Sequence, residues 1–468
     1  MRHVNRVKTA ATVIIVFCLA GAGCTGDREW EPTSPYVTSD TGDLRAVLVW
    51  PLGDHLFKSS EMGSGLTFFS VGLPKGTIYQ HAAMVRVMER AGVNVLKIPD
   101  VLDSAVHNAR SQGALEEWLR ETYPATAERV IEGLDELDGR SLLNMRDDHF
   151  YLNNPDGTFD PFFPGMSSLY WSRDFAAVTP KGFIIGRSSN TGRFLEMAYA
   201  RLMFRYADQL KDIPVAFDAG QEDVNVEGGD IMVLSESELL LGVGNRSQRE
   251  AAPKLARKLD MDVIAVNMPP SDRRSGLQRQ LLHLDSIFNI VDTNTVVAVP
   301  FFLEKEYSDS NPMKPVLLGL ARQMETMREL EVGGSVGNPQ SLRTTVEVMP
   351  EIGWVTRFEA GTGDSTALDM KLIDFMRQRG YRVVYVGGDQ GELPIEKYTL
   401  ERAMYELRWQ GANVVQLGPG RVIAYNHNTY TNQALKKAGI RVHTFPGSLL
   451  SMRNGGPHCL TMPLLRGQ

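Results

Sequence analysis

What most constrains this chain is an order of elements that repeats. Residues 230–234 are apolar and strand-like, 235–238 form a polar turn, and 239–243 make a second strand. Ser247 then stands where it can cap a helix carrying Ala251, Leu255 and Leu259 on one face, and 262–266 makes a third strand. The same succession returns as strand 414–417, a Gly418-Pro419-Gly420 turn, strand 422–425, helix 431–438 and strand 442–445. A third copy is expected where 169–171 and 183–185 flank Pro180-Lys181-Gly182, ahead of a helix through Phe194, Met197 and Leu202. Gly92, Gly380 and Gly439 each separate a helical stretch from a strand, the place of a left-handed residue just past a helix end. Repeated β-β-α-β units with irregular insertions predict one α/β domain from a first strand at 44–49 to the C-terminus, rather than a generic mixed α/β chain. Residues 114–137, broken by Pro124, are expected as a helical insertion.

The N-terminus reads as a targeting segment. Arg2, Arg6 and Lys8 precede an apolar run over 10–20, and Gly21-Ala22-Gly23 leads into Cys24. That order is similar to a bacterial lipoprotein signal, in which cleavage leaves Cys24 as the lipidated first residue; ordinary secretion and an uncleaved anchor are the alternatives. Residues 1–23 would then be a signal peptide and 24–42, rich in Thr, Ser, Pro, Asp and Glu, a flexible polar tether. The chain is accordingly expected on the outer side of a bacterial membrane, periplasmic or at the cell surface, held by lipid at Cys24. Cys18 would leave with the signal, so Cys459 would be the one free thiol. An odd thiol outside the cytoplasm is no staple and is a candidate nucleophile, against the alternative of an inert packed cysteine. The net charge of -7 with no basic block points away from nucleic acid.

Four short clusters carry chemistry: Trp171-Ser172-Arg173-Asp174, Glu227-Gly228-Gly229-Asp230, His283-Leu284-Asp285 and Asn454-Gly455-Gly456-Pro457-His458-Cys459. Singly, each has an ordinary reading as an ion pair, a turn or a structural histidine. In this order and spacing, with Leu241-Gly242-Val243-Gly244-Asn245-Arg246 and Cys459-Leu460-Thr461-Met462-Pro463-Leu464, they resemble the arginine deiminase family of guanidino-modifying enzymes over residues 43–468. The resemblance implies a five-bladed α/β propeller of ββαβ units around a pseudo-fivefold axis.

It also implies roles. A guanidinium is a planar, resonance-stabilised cation and a poor electrophile. Asp174 and Asp285 would fix its plane through bidentate, charge-assisted hydrogen bonds. The Cys459 thiolate, its pKa lowered by a neighbouring cation or imidazole, would attack the central carbon. His283, oriented by Glu227, would act first as acid toward departing ammonia and then as base toward water. Arg193 and Arg246, each 19 residues after a carboxylate of the set, match arginines that bind the substrate α-carboxylate, with surface arginines as the alternative. Trp171, Ser168 and Asn454 complete the substrate-binding positions. Ser168 stands where the family often has Asn, and Asn454 where it has Arg. The expected reaction turns L-arginine or a related guanidino acid into citrulline or another ureido product and ammonium, with no cofactor and no metal. No HExxH, paired CxxC or Walker A loop is present. An amidinotransferase, in which an amine replaces water, and a non-catalytic guanidino-binding lipoprotein remain alternatives.

Overall fold

The computed structural model describes residues 34, 36–52, 76–143, 151–153, 159–161, 170–190, 193–270, 281–329, 338–453 and 455–467. Cys24 with the signal segment, Ser168 and Asn454 lie outside the described residues.

The repeat is present five times. In each copy the middle strand pairs antiparallel with one neighbour and parallel with the other, which is the hydrogen-bonding signature of β-β-α-β. Strands Ala176–Thr179, Gly182–Ile185 and Val215–Asp218 form one such sheet, with helix Phe194–Tyr206 as its crossover. Ile231–Ser235, Glu238–Val243 and Asp262–Asn267 form the next, around helix Ala251–Leu259. Phe288–Asp292, Thr295–Ala298 and Arg382–Tyr385 form another, its crossover swollen by helices Met313–Glu329 and Pro339–Val348 and by strands Trp354–Phe358 and Ser365–Lys371, which extend the preceding sheet. Val415–Gly418, Arg421–Tyr425 and Arg441–Phe445 follow, with helix Thr429–Lys437. The last unit is shared by the two chain ends. C-terminal strand Met462–Gly467 pairs antiparallel with Asp43–Val49, which runs parallel to Asn94–Lys97 after helix Gly76–Arg90. The first and last strands among the described residues are therefore held in one sheet.

The strands at the heart of the units are covered on both faces. All four residues of Ala176–Thr179 and of Gly182–Ile185 are buried. Phe183 stacks on Phe204 of its own crossover helix at 3.8 Å, fixing helix to sheet. Gly92, Gly380 and Gly439 have φ of 84°, 84° and 90°, the left-handed conformation expected where a helix turns into the parallel strand. Helices Leu115–Thr122 and Ala127–Ile131 occupy the expected insertion.

Three expectations are corrected. The copy expected from 169–171 does not begin there: Leu169 lies outside the described residues, Tyr170 is in a turn, Trp171 is in no strand, and the first strand is Ala176–Thr179. Ser247 does not cap the helix at Ala251, whose N-cap position is Glu250; its hydroxyl instead donates to Asp230 at 2.6 Å. The segment 36–42, read as tether from its polar composition, is packed. Val37 is bridged to Arg466, and the buried Asp40 joins Val233 through both its backbone N–H and its carboxylate. The Asp40 carboxylate satisfies the backbone N–H of Val233, and Ser39 that of Gly42.

Candidate active site

Four of the five units place their chemistry in the same spot, the few residues leading into the first strand. Asp174 precedes Ala176, Glu227 precedes Ile231, His283 and Asp285 precede Phe288, and Cys459 precedes Met462. These approach segments are tied into a closed ring, each donating to the one before. Arg173 N donates to Cys459 O at 3.1 Å and Gly228 N to Asp174 O at 3.0 Å. Leu284 N donates to Asp230 Oδ1 at 3.0 Å, Asn413 Nδ2 to Asp285 O at 3.1 Å, and Cys459 N to Asn413 Oδ1 at 3.1 Å. Side chains distant in sequence are thus held by backbone that neighbouring units satisfy in turn.

Five predicted catalytic residues converge. His283 Nε2 lies 2.8 Å from Glu227 Oε2, and His283 Nδ1 lies 3.8 Å from Asp174 Oδ1. Cys459 Sγ sits 3.5 Å from Asp285 Oδ2, which also accepts from His458 Nδ1 at 2.8 Å. All five are buried, Cys459 being 6% exposed and Glu227 and Asp285 not at all. Asp174 Oδ1 and Asp285 Oδ1 are buried acceptors without a hydrogen-bond partner among the described residues. A buried carboxylate oxygen left bare costs stability, and a pair of them marks a place built for a donor that arrives later. Each aspartate thus presents one bare oxygen.

The charges follow from burial and neighbours. Burial disfavours the His283 imidazolium, but the Asp174 charge, the Glu227 hydrogen bond and Asp230 outweigh it and raise its pKa to about 10. Burial works against ionised Glu227 as well, and the His283 contact with the Arg193 and Arg246 charges holds it below the usual carboxylate range. Asp230 is pushed up to about 7 by burial. Burial, then the charges of Asp285 and Asp174, push the Cys459 thiol well above its ordinary value. The lowered thiol pKa expected from sequence is therefore absent in the unliganded site, because carboxylates face the sulfur where a cation was expected. His458 is held neutral by burial; as the Nδ1–H tautomer it donates to Asp285 and leaves only a lone pair unpartnered at Nε2.

Two predicted substrate arginines part company. Arg193 spends its guanidinium on carboxylates: Nη1 on Asp174 Oδ2 at 2.8 Å, Nη2 on Glu196 at 2.6 Å, and Nε on Glu196 at 2.9 Å. It neutralises the acidic cluster instead of offering a fork to a substrate carboxylate. Arg246 touches Glu227 only at 3.4 Å, and its Nε is a buried donor with no partner among the described residues. It keeps the open edge such a fork needs. Asp174, Glu227 and His283 offer ligand atoms within 4.8 Å of one another, a set able to hold a cation, and Arg193 Nη1 already lies 2.8 Å from Asp174 and 3.6 Å from Glu227. Trp171 packs at a tilt against Tyr170, ring centroids 4.0 Å apart, and crowds Gly455, where a Cβ would stand 1.6 Å from its ring.

Sequence reasoning missed several members. Ser188 donates to Glu227 Oε1 at 2.7 Å, Glu196 braces Arg193, and Asp230 with Ser247 staples two approach segments together. It also missed Asn413, whose signal was its place directly before the strand read at 414–417.

The family model described as Arginine deiminase matches residues 146–466. The arginine deiminase of Clostridium perfringens (strain SM101 / Type A) is 25% identical over 462 residues, covering 92% of this chain and 97% of that protein. That of Mycoplasma capricolum subsp. capricolum is 26% identical over 458 residues, with 92% and 96% covered. Among solved structures, the N-terminal domain of ArgZ, an arginine dihydrolase from the ornithine-ammonia cycle in cyanobacteria, aligns at 13% identity and a TM-score of 0.45, covering 91% of this chain and 98% of that one. The chain belongs to the arginine deiminase family and is a hydrolase of that type, acting on carbon–nitrogen bonds.

Proposed function

We propose that this chain hydrolyses L-arginine, or a related guanidino acid, to citrulline or the corresponding ureido product and ammonium, through a thiouronium on Cys459. The observation that carries the reading is the pair of bare, buried oxygens, Asp174 Oδ1 and Asp285 Oδ1, beside a buried thiol. A guanidinium seated between them supplies the missing donors and cancels the charges that keep the thiol protonated. The thiol then gives its proton to solvent, and sulfur attacks the guanidinium carbon. His283 is protonated at neutral pH and delivers a proton from Nδ1 to the departing nitrogen, while Glu227 holds Nε2. Ammonia leaves and takes up a proton. The now neutral His283 draws a proton from water, hydroxide adds to the thiouronium carbon, and collapse expels the thiol and releases the ureido product. Arg246 is assigned to the substrate carboxylate, and Trp171 to a wall of the site.

Purified protein given L-arginine should release one ammonium per ureido product, with a Cys459-bound amidino adduct visible by mass spectrometry. Transfer of the amidino group to glycine or ornithine without ammonium would sink the hydrolase reading, and undiminished turnover in Cys459→Ser would remove the nucleophile. We further propose lipid attachment at Cys24, supported by the basic, apolar and small-residue order before it. Cys24→Ser should move the protein from the membrane pellet to the soluble fraction; an unchanged partition refutes it.

A further inference from the structure

We propose that Asn413 is a catalytic residue that stabilises the Cys459 thiolate by donating a hydrogen bond to sulfur, an inference that rests on Cys459 being the nucleophile. Four of the five units bring a recognised reactive cluster to the approach of their first strand, and the sequence motifs account for those four. The fifth unit has its approach at 411–414, ahead of Val415–Gly418, and the side chain it contributes is Asn413.

Its geometry fits the role. Asn413 is fully buried, and its amide meets the nucleophile at two points. Nδ2 lies 3.1 Å from Cys459 Sγ, while Oδ1 accepts from Cys459 N at 3.1 Å. Nδ2 also donates to Asp285 O at 3.1 Å. The orientation of the amide is fixed by chemistry: the Cys459 N–H needs an acceptor and the Asp285 carbonyl needs a donor, so the NH2 group must face sulfur. In the resting site the thiol hydrogen points toward Asp285 Oδ2 at 3.5 Å. Once that proton leaves, Asp285 is a bare negative charge beside a negative sulfur, and Asn413 Nδ2 supplies a donor within reach. Burial and the Asp285 and Asp174 charges raise the thiol pKa, and against them stand the Gly456 N–H and the Asn413 amide. Gly456 is itself in contact with this residue, since a Cβ there would stand 2.4 Å from Asn413 Oδ1.

A donor to a charged group is worth enough that its loss should cut the thiolate population roughly ten- to a hundredfold at a given pH. The test is the rate of iodoacetamide alkylation at Cys459 in unliganded protein, followed by mass spectrometry across the neutral and alkaline range, for wild type and Asn413→Ala. The expected result is an alkylation midpoint shifted upward by about one to two pH units with a matching fall in kcat. Should the alanine variant fail to fold, Asn413→Ser keeps a polar side chain too short to reach sulfur and should shift the midpoint in the same direction. An unmoved midpoint in a folded variant overturns the proposal, whether or not kcat falls, because a purely structural asparagine would lower activity without moving the thiol titration. Absence of an arginine-derived adduct on wild-type Cys459 would instead overturn the nucleophile itself, so the two failures are distinct.

Discussion

Gly229→Ala probes the proposed catalytic histidine without replacing any reacting group. An added Cβ at Gly229 would stand 2.7 Å from His283 Cγ, 2.8 Å from Nδ1 and 3.0 Å from Cβ. Ordinary contact begins at 3.4 Å, so the imidazole must retreat by roughly 0.7 Å. Gly229 has no left-handed φ, so alanine meets no backbone strain of its own. The retreat moves Nδ1 from its present position and disturbs the 2.8 Å contact between Nε2 and Glu227. Misplacing a catalytic group by about 1 Å costs on the order of 100-fold in rate, and the loss here should approach that figure in kcat, with KM changed far less. Ammonium release at saturating arginine is the assay, with a thermal melt to confirm a folded protein. A folded variant with kcat within about twofold of wild type would refute the placement of His283 at the reacting centre.

Other consequences are direct. Glu227→Gln keeps an acceptor for His283 Nε2 but removes the charge, so the His283 pKa should fall from about 10, the Asp174 charge still holding it up in part. The alkaline limb of kcat should move to lower pH with it; a limb that stays put refutes the assignment. Because the thiol is buried and its pKa raised, peroxide should inactivate the unliganded protein slowly at neutral pH and faster as pH rises; fast loss at neutral pH would contradict a protonated thiol. Gly455→Ala drives a methyl into the Trp171 ring, so substrate affinity should drop while the Cys459 alkylation profile holds; an unchanged KM would show that Trp171 lines nothing the substrate touches.

Much of this was legible in the chain because repeats write themselves in hydrophobic period and turn residues. The units around 230–266 and 414–445 were readable, and the glycines after three helices marked real helix ends. What sequence missed were properties of neighbours. Whether Arg193 meets a substrate or three carboxylates depends on Asp174, Glu196 and Glu227, which only folding brings together. The thiol titration went astray for the same reason, since a cysteine between two aspartates and one between two cations look alike in one dimension. The segment 36–42 was misread because its buried Asp40 serves backbone groups of a distant strand. Asn413 escaped because an asparagine before a strand is ordinarily a turn residue, and its chemistry shows only when the fifth unit is superposed in thought on the other four.

On the proposed mechanism the two carboxylates that raise the thiol pKa also take the guanidinium, which makes substrate binding and thiol ionisation one coupled event. Whatever free energy a bound cation gains from a neighbouring thiolate, it returns as an equal lowering of the thiol pKa, since coupling between two sites is reciprocal. Each pKa unit so removed corresponds to about 1.4 kcal/mol of added affinity for the thiolate form. Above neutrality arginine should therefore bind more tightly as pH rises, until the free thiol itself ionises. Binding should expel a proton. His283→Asn removes the acid that drives ammonia out but leaves Asp174, Asp285 and Cys459 in place, so binding can be watched without turnover. Mixed with L-arginine at neutral pH in weak buffer with an indicator dye, that variant should release close to one proton per site, and the additional change Cys459→Ser should abolish the release. Equal proton release from both proteins would mean that the thiol is not the group the substrate ionises, and a different base would then be needed to generate the nucleophile.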